Sequence, residues 1–337
     1  MLVVRPIELS DIDDLLELAD KAGPGMTSLP KDKSVLLKKI QCSIDSFDRS
    51  SAHADDYFLL VMEDTDKNKV VGTAGITAQT GAKEAYYAYR LMSVTHHSHS
   101  LQKQVRSEAL HLSNDYTGCS TVGTFFLDPA YRGNGSWFGK SRYILMGLYP
   151  ERFQTSVIAE LRGYTDSEGK SPFWEAVGAH FFEMTFDEAD HLSGIGSNQF
   201  ITELIPKYPI YTLFLPDSAR EVIGVPAEAG QRAKALLEKE GFRYERLVDL
   251  FDAGPIMRSE VKHLNTVQGL KKTKATVGQT DAASDTKKII VSNGKWSDFR
   301  VSQITSGDNI FCPTDVATQL SIQADDEIAY FIQGASS

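Results

Sequence analysis

The 337-residue sequence predicts an α/β fold with helices packed against a sheet. Three observations carry that prediction. Apolar stretches of strand length alternate with stretches whose apolar residues recur at helical spacing. Glycine and proline fall between them, where the chain must turn. The composition, 42% hydrophobic and 24% charged, is that of a globular protein with a sizeable core.

Residues 2–7 read as a strand. Ser10 then caps a helix, with Asp13 in the place of a capping-box acid, and Ile12, Leu15, Leu16 and Ala19 form its apolar face. Gly23-Pro24-Gly25 ends it. A second helix covers 33–47 with Leu36, Leu37 and Ile40 inward. Residues 57–62 and 69–78 flank a polar turn and read as a hairpin. A strand at 123–127, a helix at 137–148, a strand at 156–160, a short helix at 171–178 and the strand His180-Phe181-Phe182 follow. Residues 228–240 are helical, Gly241 breaks them, and 242–251 return as a strand. The order helix, Gly, Phe, strand thus occurs around both 174–182 and 236–244, which suggests a partial internal repeat. Residues 268–286 are polar and read as a linker or exposed loop, and 289–332 as a small β-rich C-terminal region. The expected division is therefore 1–190, 191–267, 268–288 and 289–337.

The formal net charge of -10 argues against general nucleic-acid binding, which needs a basic footprint, and suits a cationic substrate. Cys42, Cys119 and Cys312 form neither a CxxC nor an even set, so no disulfide framework or zinc site is expected. His96-His97-Ser98-His99 lacks acidic or cysteine partners at ligand spacing, so no metal is expected. The first residues lack the apolar core of a signal peptide, and no apolar run approaches the ~18 residues of a membrane span. A cytoplasmic protein without a membrane partner is the expectation.

One segment carries chemistry. Thr124-Phe125-Phe126-Leu127-Asp128-Pro129 is a strand ended by proline, followed by Arg132-Gly133-Asn134-Gly135-Ser136 and a helix. Two glycines let the backbone turn sharply and approach a ligand. Successive N–H groups and the helix N-terminus then favour a phosphate, and Arg132 adds a charge. No Gly-Lys-Ser/Thr follows, and Phe138 stands where a dinucleotide fingerprint needs its third glycine. The arrangement resembles the pyrophosphate-binding turn of acetyltransferase-type, GNAT-like acyl-CoA N-acyltransferases. Phe125, Leu127, Arg132, Gly133, Asn134, Gly135 and Ser136 are the candidate acyl-CoA residues.

A closer resemblance rests on ordered blocks. They include Val4-Arg5-Pro6, Thr27-Ser28-Leu29-Pro30, Ser113-Asn114-Asp115-Tyr116-Thr117-Gly118 and Phe126-Leu127-Asp128-Pro129. Ala159-Glu160-Leu161-Arg162-Gly163, Ser171-Pro172-Phe173-Trp174, Glu203-Leu204-Ile205-Pro206, Pro209-Ile210-Tyr211 and Asp249-Leu250-Phe251-Asp252-Ala253-Gly254-Pro255 continue them. These blocks resemble the bacterial arginine N-succinyltransferases, of the alpha-subunit type, over residues 1–267. The resemblance implies succinyl transfer from succinyl-CoA, as co-substrate, to the α-amine of L-arginine, with no tightly bound cofactor. It implies a homo-oligomer or pairing with a paralogous subunit, and it assigns a succinyl-CoA contact to Phe125. The alternatives are an acyl-CoA:amine transferase of other specificity and a non-catalytic partner subunit. One departure matters. The family's Val-His-Pro motif, whose His is taken as the proton donor, is replaced by Val225-Pro226-Ala227-Glu228, with Ala227 at the His position.

Amide formation needs a base for the amine, donors for the thioester oxygen and an exit for the thiolate. Glu160, Glu228 and Tyr211 are the catalytic candidates, with His180 a further option. Glu228 also reads as a helix N-terminal charge, Tyr211 as a core aromatic and His180 as a packing residue. Carboxylates to grip a guanidinium are sought in Glu160, Glu203, Asp249 and Asp252. Arg162, Thr27 and Ser28 are suggested for the succinyl carboxylate. Asp187, Glu188 and Asp190 read as a solvated helix face.

Overall fold

The computed structural model describes residues 1–23, 25–195, 203–278, 287–307 and 310–334, the side chains of 191 and 193–195 apart. In chain order the first elements are β1 (Leu2–Pro6), α1 (Ile12–Ala22), α2 (Lys33–Asp48), β2 (Tyr57–Asp64) and β3 (Lys69–Thr77). Next come β4 (Ala88–Ser98), β5 (Lys103–Ser113), β6 (Ser120–Leu127), α3 (Gly135–Leu148) and β7 (Ser156–Glu160). Then follow α4 (Pro172–Ala176), α5 (Ala179–Phe182), α6 (Phe186–Ile195), β8 (Ile210–Tyr211), α7 (Asp217–Arg220), α8 (Gln231–Glu240), β9 (Arg243–Val248) and β10 (Pro255–Glu260). The last are α9 (Asn265–Gln268), β11 (Lys271–Lys274), β12 (Thr276–Gly278), β13 (Lys287–Ser292), β14 (Val301–Ser306), β15 (Phe311–Pro313), α10 (Thr314–Gln319) and β16 (Glu327–Ile332). The mixed α/β class is as the periodicity predicts. No described helix is long and apolar enough to cross a membrane.

Two compact units are discontinuous in sequence. The first comprises Met1–Gln79, Ser120–Ser156 and Glu260–Ser337. Its strands run in the order β11-β16-β13-β14-β1-β2-β3-β6. Leu15, Leu18 and Ala19 of α1 and Leu36 and Ile40 of α2 are buried against Leu59 and Val61 of β2 and Val70 of β3. Their i, i+3, i+4 spacing sets one face of each helix inward. The pairing of β3 with β6 shifts register beside Gly75, where Thr124 takes a φ of 46°. A Cβ on Gly75 would lie 2.8 Å from the Tyr57 hydroxyl, which itself bonds Thr124 Oγ1 at 3.0 Å. The glycine is what lets the bulge close.

The C-terminal strands belong to this unit, with β14 adding to the edge of β1 through Val4 and Val301. Trp296 Nε1 donates to the Phe47 carbonyl at 2.8 Å, and the Arg152 guanidinium lies 4.3 Å from the Trp296 ring. Arg152 and Arg49 both bond the fully buried Asp56, at 3.3 and 2.5 Å. Three distant chain segments thus share one buried charge group.

The second unit comprises Thr80–Cys119 and Val157–Ser259, with strands in the order β7-β10-β9-β4-β5-β8. Trp174 stacks on Phe182 and Phe251 at 5.4 and 5.6 Å, with Phe173, Phe186 and Leu250 around it. A Cβ on Gly178 would sit 2.2 Å from the Trp174 ring, so only glycine fits the turn between α4 and α5.

The structure corrects several local expectations. His180-Phe181-Phe182 is part of α5, not a strand, because Trp174 and Gly178 draw that segment back over the core as a helix. The helix–Gly–Phe–strand order is therefore not repeated. The first helix is capped earlier than Ser10, by a reciprocal Glu8–Asp11 box on a 3-10 turn that runs into α1. Leu37 is 36% exposed, beyond the inward stripe of Leu36 and Ile40. Within 268–286, residues 271–274 and 276–278 form β11 and β12, paired with β16 and β15; residues 279–286 lie outside the described residues. The β4–β5 hairpin was not anticipated, since its outer strands mix His, Ser, Thr and Lys without strict alternation.

Candidate functional site

The glycine turn of the first unit is held by its own chain. Asp128 Oδ1 accepts from Ala130 N at 2.9 Å, which starts a tight turn at Pro129. Gly133 has a φ of 100°, a conformation that strains any L side chain. The Asn134 amide donates to the Tyr131 carbonyl at 3.0 Å and accepts from Trp137 Nε1 at 3.1 Å. That side chain is therefore spent on shaping the turn. Helix geometry leaves the first-turn N–H groups of α3, at Gly135, Ser136 and Trp137, without intrahelical acceptors. Arg132, Gly133 and Ser136 are exposed. First-turn N–H groups, the 14-residue helix behind them and the exposed Arg132 are the elements from which an anion site is built.

Phe125 stands on the strand feeding that turn. Its ring is 5.3 Å from Phe138 and 4.9 Å from the buried Arg142 guanidinium. Arg142 donates to the Gly139 carbonyl at 3.3 Å. The sequence reading missed Arg142, although its spacing to Phe138 and Leu145 marks it as a cation on the apolar stripe of α3. Gly135 has ordinary clearance: a Cβ would lie 3.9 Å from Phe125. Of the two glycines, Gly133 is the one the backbone requires. Thr27 and Ser28 lie half-buried on the loop between α1 and α2, and Ser28 O accepts from Lys39 Nζ at 2.6 Å.

In the second unit, Glu160 ends β7 and keeps solvent on one side. The protein around its carboxyl strips away much of its hydration and pushes its pKa up to about 7. Tyr86 opposes that rise as a hydrogen-bond donor, and the charge of Asp249 adds to it. The Tyr86 hydroxyl is buried, faces Glu160 and has no partner at full bonding geometry. Its backbone is clamped by Thr117 Oγ1, which accepts from Tyr86 N at 2.9 Å and donates to its carbonyl at 3.2 Å. Sequence reasoning missed Tyr86, because nothing in its neighbourhood distinguishes it from a packing aromatic.

Two residues beyond Glu160, Arg162 is gripped by Asp190 through two bonds of 2.6 Å and approaches Asp252 at 3.3 Å. Its guanidinium lies 4.9 Å from the Phe186 ring. Asp190 is therefore no solvated face residue. It is 9% exposed, because Phe186 packs into the core and rotates Asp190 inward one turn later. Asp252 is 2% exposed and accepts from Gly254 N at 2.8 Å, while Asp249 accepts from Phe251 N at 2.7 Å. Burial raises the pKa of both aspartates. Gly163 and Gly254 let these loops meet: a Cβ would lie 2.2 Å from Asp252 O and 2.1 Å from Leu161 O, respectively. Ala227 N donates to Arg162 O at 2.8 Å, so Ala227 borders this cluster.

The cluster thus gathers Glu160, Arg162, Asp249 and Asp252, with Asp190 added. The other sequence candidates lie elsewhere. Tyr211 pairs with Ala109 and makes its ring contacts with His96 and Phe214. Glu203 is exposed, as is Glu228 at the start of the 3-10 turn after Ala227. His180 is exposed on α5 rather than packed among aromatics, because Phe182 takes the inward position.

Comparison with known proteins places these features in context. The family profile described as arginine N-succinyltransferase beta subunit matches residues 2–266. The arginine N-succinyltransferase of Yersinia enterocolitica is 38% identical over 97% of this chain and 96% of its own. That of an Escherichia coli O6:K15:H31 strain is 37% identical over 95% and 91%. The structure of arginine/ornithine succinyltransferase subunit AI from Pseudomonas aeruginosa superposes with a TM-score of 0.90 at 29% identity, covering 99% of both chains. The subunit labels differ between profile and structure; the family is common to them.

Proposed function

Because the chain belongs to the arginine N-succinyltransferase family, we propose that it transfers the succinyl group of succinyl-CoA to the α-amine of L-arginine. The observation that carries this reading is an intact glycine turn in a chain related to the family along nearly its whole length.

The turn at 132–136 and the N-terminus of α3 receive the CoA pyrophosphate, and the strand at Phe125 lines the acyl donor. Glu160 accepts the proton of the attacking amine, a role suited to a carboxylate with a pKa near 7. Tyr86 orients that carboxylate. The amine nitrogen forms a bond to the thioester carbonyl carbon, the C–S bond breaks, and CoA leaves as a thiolate. A thiol of pKa about 8.5 leaves readily near neutral pH, so the reaction tolerates alanine at position 227. Arg162 is already neutralised by Asp190 and Asp252, so its part is to hold the loops at 160–163 and 249–254 in place. Asp249 is the acidic group left for the cationic substrate.

Thiol release with succinyl-CoA against arginine, ornithine and other amines tests the reading. Arginine as the best acceptor supports it. Another preferred amine or acyl thioester converts it to a different acyl-CoA:amine transferase. Folded protein that binds CoA and releases no thiol with any amine is a non-catalytic subunit. Self-assembly or pairing with a paralogous subunit, and a cytoplasmic location, belong to the same proposal; light scattering of the purified chain checks the first.

A further inference from the structure

Lys39 is a half-buried cation on α2 whose hydrogen bond goes to a neutral carbonyl, Ser28 O at 2.6 Å. Among the described residues no carboxylate lies within ion-pair distance of it. The neighbouring lysines contrast with it: Lys31 pairs with Asp20 at 3.1 Å, Lys33 with Asp13 at 2.9 Å and Lys21 with Asp128 at 2.6 Å. Burial with no acid to oppose it draws the Lys39 ammonium down to a pKa of about 8. An ammonium carries three protons, and Ser28 uses one. The Thr27 and Ser28 hydroxyls bond no other described side chain or backbone group. A half-buried charge without a counter-ion is costly, and an arriving anion would remove that cost.

We propose that Lys39, with the Thr27 and Ser28 hydroxyls, forms the subsite for the free carboxylate of the acyl group and so selects a dicarboxylic acyl-CoA over a neutral one. The inference rests on the acyl-CoA reading above, and Lys39 lies in the same unit as the glycine turn. A charge-assisted bond to a carboxylate accounts for strong discrimination. A neutral acyl chain leaves the ammonium unpaired, whereas succinyl pairs it.

The test compares succinyl-CoA with acetyl-CoA in the wild type, Lys39→Met and Lys39→Arg. Binding of each thioester is measured by calorimetry, and kcat/KM from thiol release with arginine. The wild type prefers succinyl-CoA. Lys39→Met lowers kcat/KM for succinyl-CoA by about 10- to 100-fold, the loss of one charge-assisted bond, and leaves acetyl-CoA binding unchanged. Lys39→Arg keeps the preference. Lys39→Met protein that binds acetyl-CoA normally and still favours succinyl-CoA overturns the subsite. If Lys39→Met binds neither thioester, Lys39→Arg decides, and an equal loss of both ligands there also overturns it. Wild-type protein that binds succinyl-CoA preferentially yet never transfers to arginine leaves the subsite standing and breaks the amine assignment.

Discussion

The glycine turn and the carboxylate cluster are built in opposite ways. The turn is one contiguous segment, 125–136, whose working groups are backbone N–H donors fixed by Gly133 and by the Asn134 bonds to Tyr131 and Trp137. The cluster is assembled from three segments, around 160–162, 186–190 and 249–252, and is held by the charge of Arg162 set between Asp190 and Asp252. A backbone site depends on local conformation. A charge cluster depends on partners tens of residues away, so a change at one of its ion-paired members, Arg162, Asp190 or Asp252, is felt as loss of fold.

The largest expected effect tests whether the exposed member of the cluster is chemical and not structural. Glu160→Gln is expected to lower kcat by about 10²- to 10⁴-fold, the range for removing a general base. In the wild type, kcat should rise with pH through about 7, as the carboxyl ionises. The stability sign is the reverse. The folded pKa lies above the unfolded carboxylate value, so the fold loses stability as pH climbs from about 4.3 through about 7. Above that window the cost is fully present. Glu160→Gln should therefore melt no lower than the wild type at pH 8. A variant that loses both activity and melting temperature there makes Glu160 a structural residue.

Asp190→Ala comes next, on the structural side of the comparison. It leaves Arg162 with Asp252 alone and should destabilise the protein by about 2–3 kcal/mol, read as a shift in the urea midpoint. An unchanged midpoint would dissolve the cluster as a unit. Gly133→Val should act on ligand and not on fold. Its φ of 100° costs a branched residue about 1–2 kcal/mol, so the turn should shift its N–H groups to relieve the strain, weakening acyl-CoA binding about 5- to 30-fold and lowering the melting temperature by only about 2–4 °C. Gly135→Ala, which has room for its methyl, is the matched control, and equal losses in both would relocate the anion site.

How legible each site was in the sequence follows from the same contrast. Strand, proline, two glycines and helix lie next to one another, so the turn could be read directly. Even there, the sequence treats Gly133 and Gly135 alike, whereas the positive φ falls at Gly133. Asp190 was misread because helix spacing puts Asp187, Glu188 and Asp190 on one polar stretch. Only the burial of Phe186 and the approach of Arg162 turn one of them inward. Tyr86 was invisible for a related reason: its partner Glu160 lies 74 residues further along the chain. The element order of the first 79 residues was readable because α1, α2 and the β2–β3 hairpin are each held by nearest neighbours. The strands β4 and β5 were not, because their outer residues bury no continuous apolar face.

The smallest expected effect concerns Ala227, at the position where the resemblance to the family leads one to expect a histidine. Its backbone N–H is already bonded to Arg162 O, so a histidine there would project beside the cluster without disturbing that bond. If proton transfer from the amine limits the rate, a restored acid has little to accelerate, since CoA leaves as a thiolate unaided near neutral pH. Ala227→His should then raise kcat by less than about 10-fold and add an alkaline limb to the pH profile near the ordinary histidine value of about 6.5. A gain of 10²-fold or more would mean that expulsion of the thiol limits the wild type. Glu160 would then not be the group that governs the rate, and the cluster would be a chemical site missing its acid.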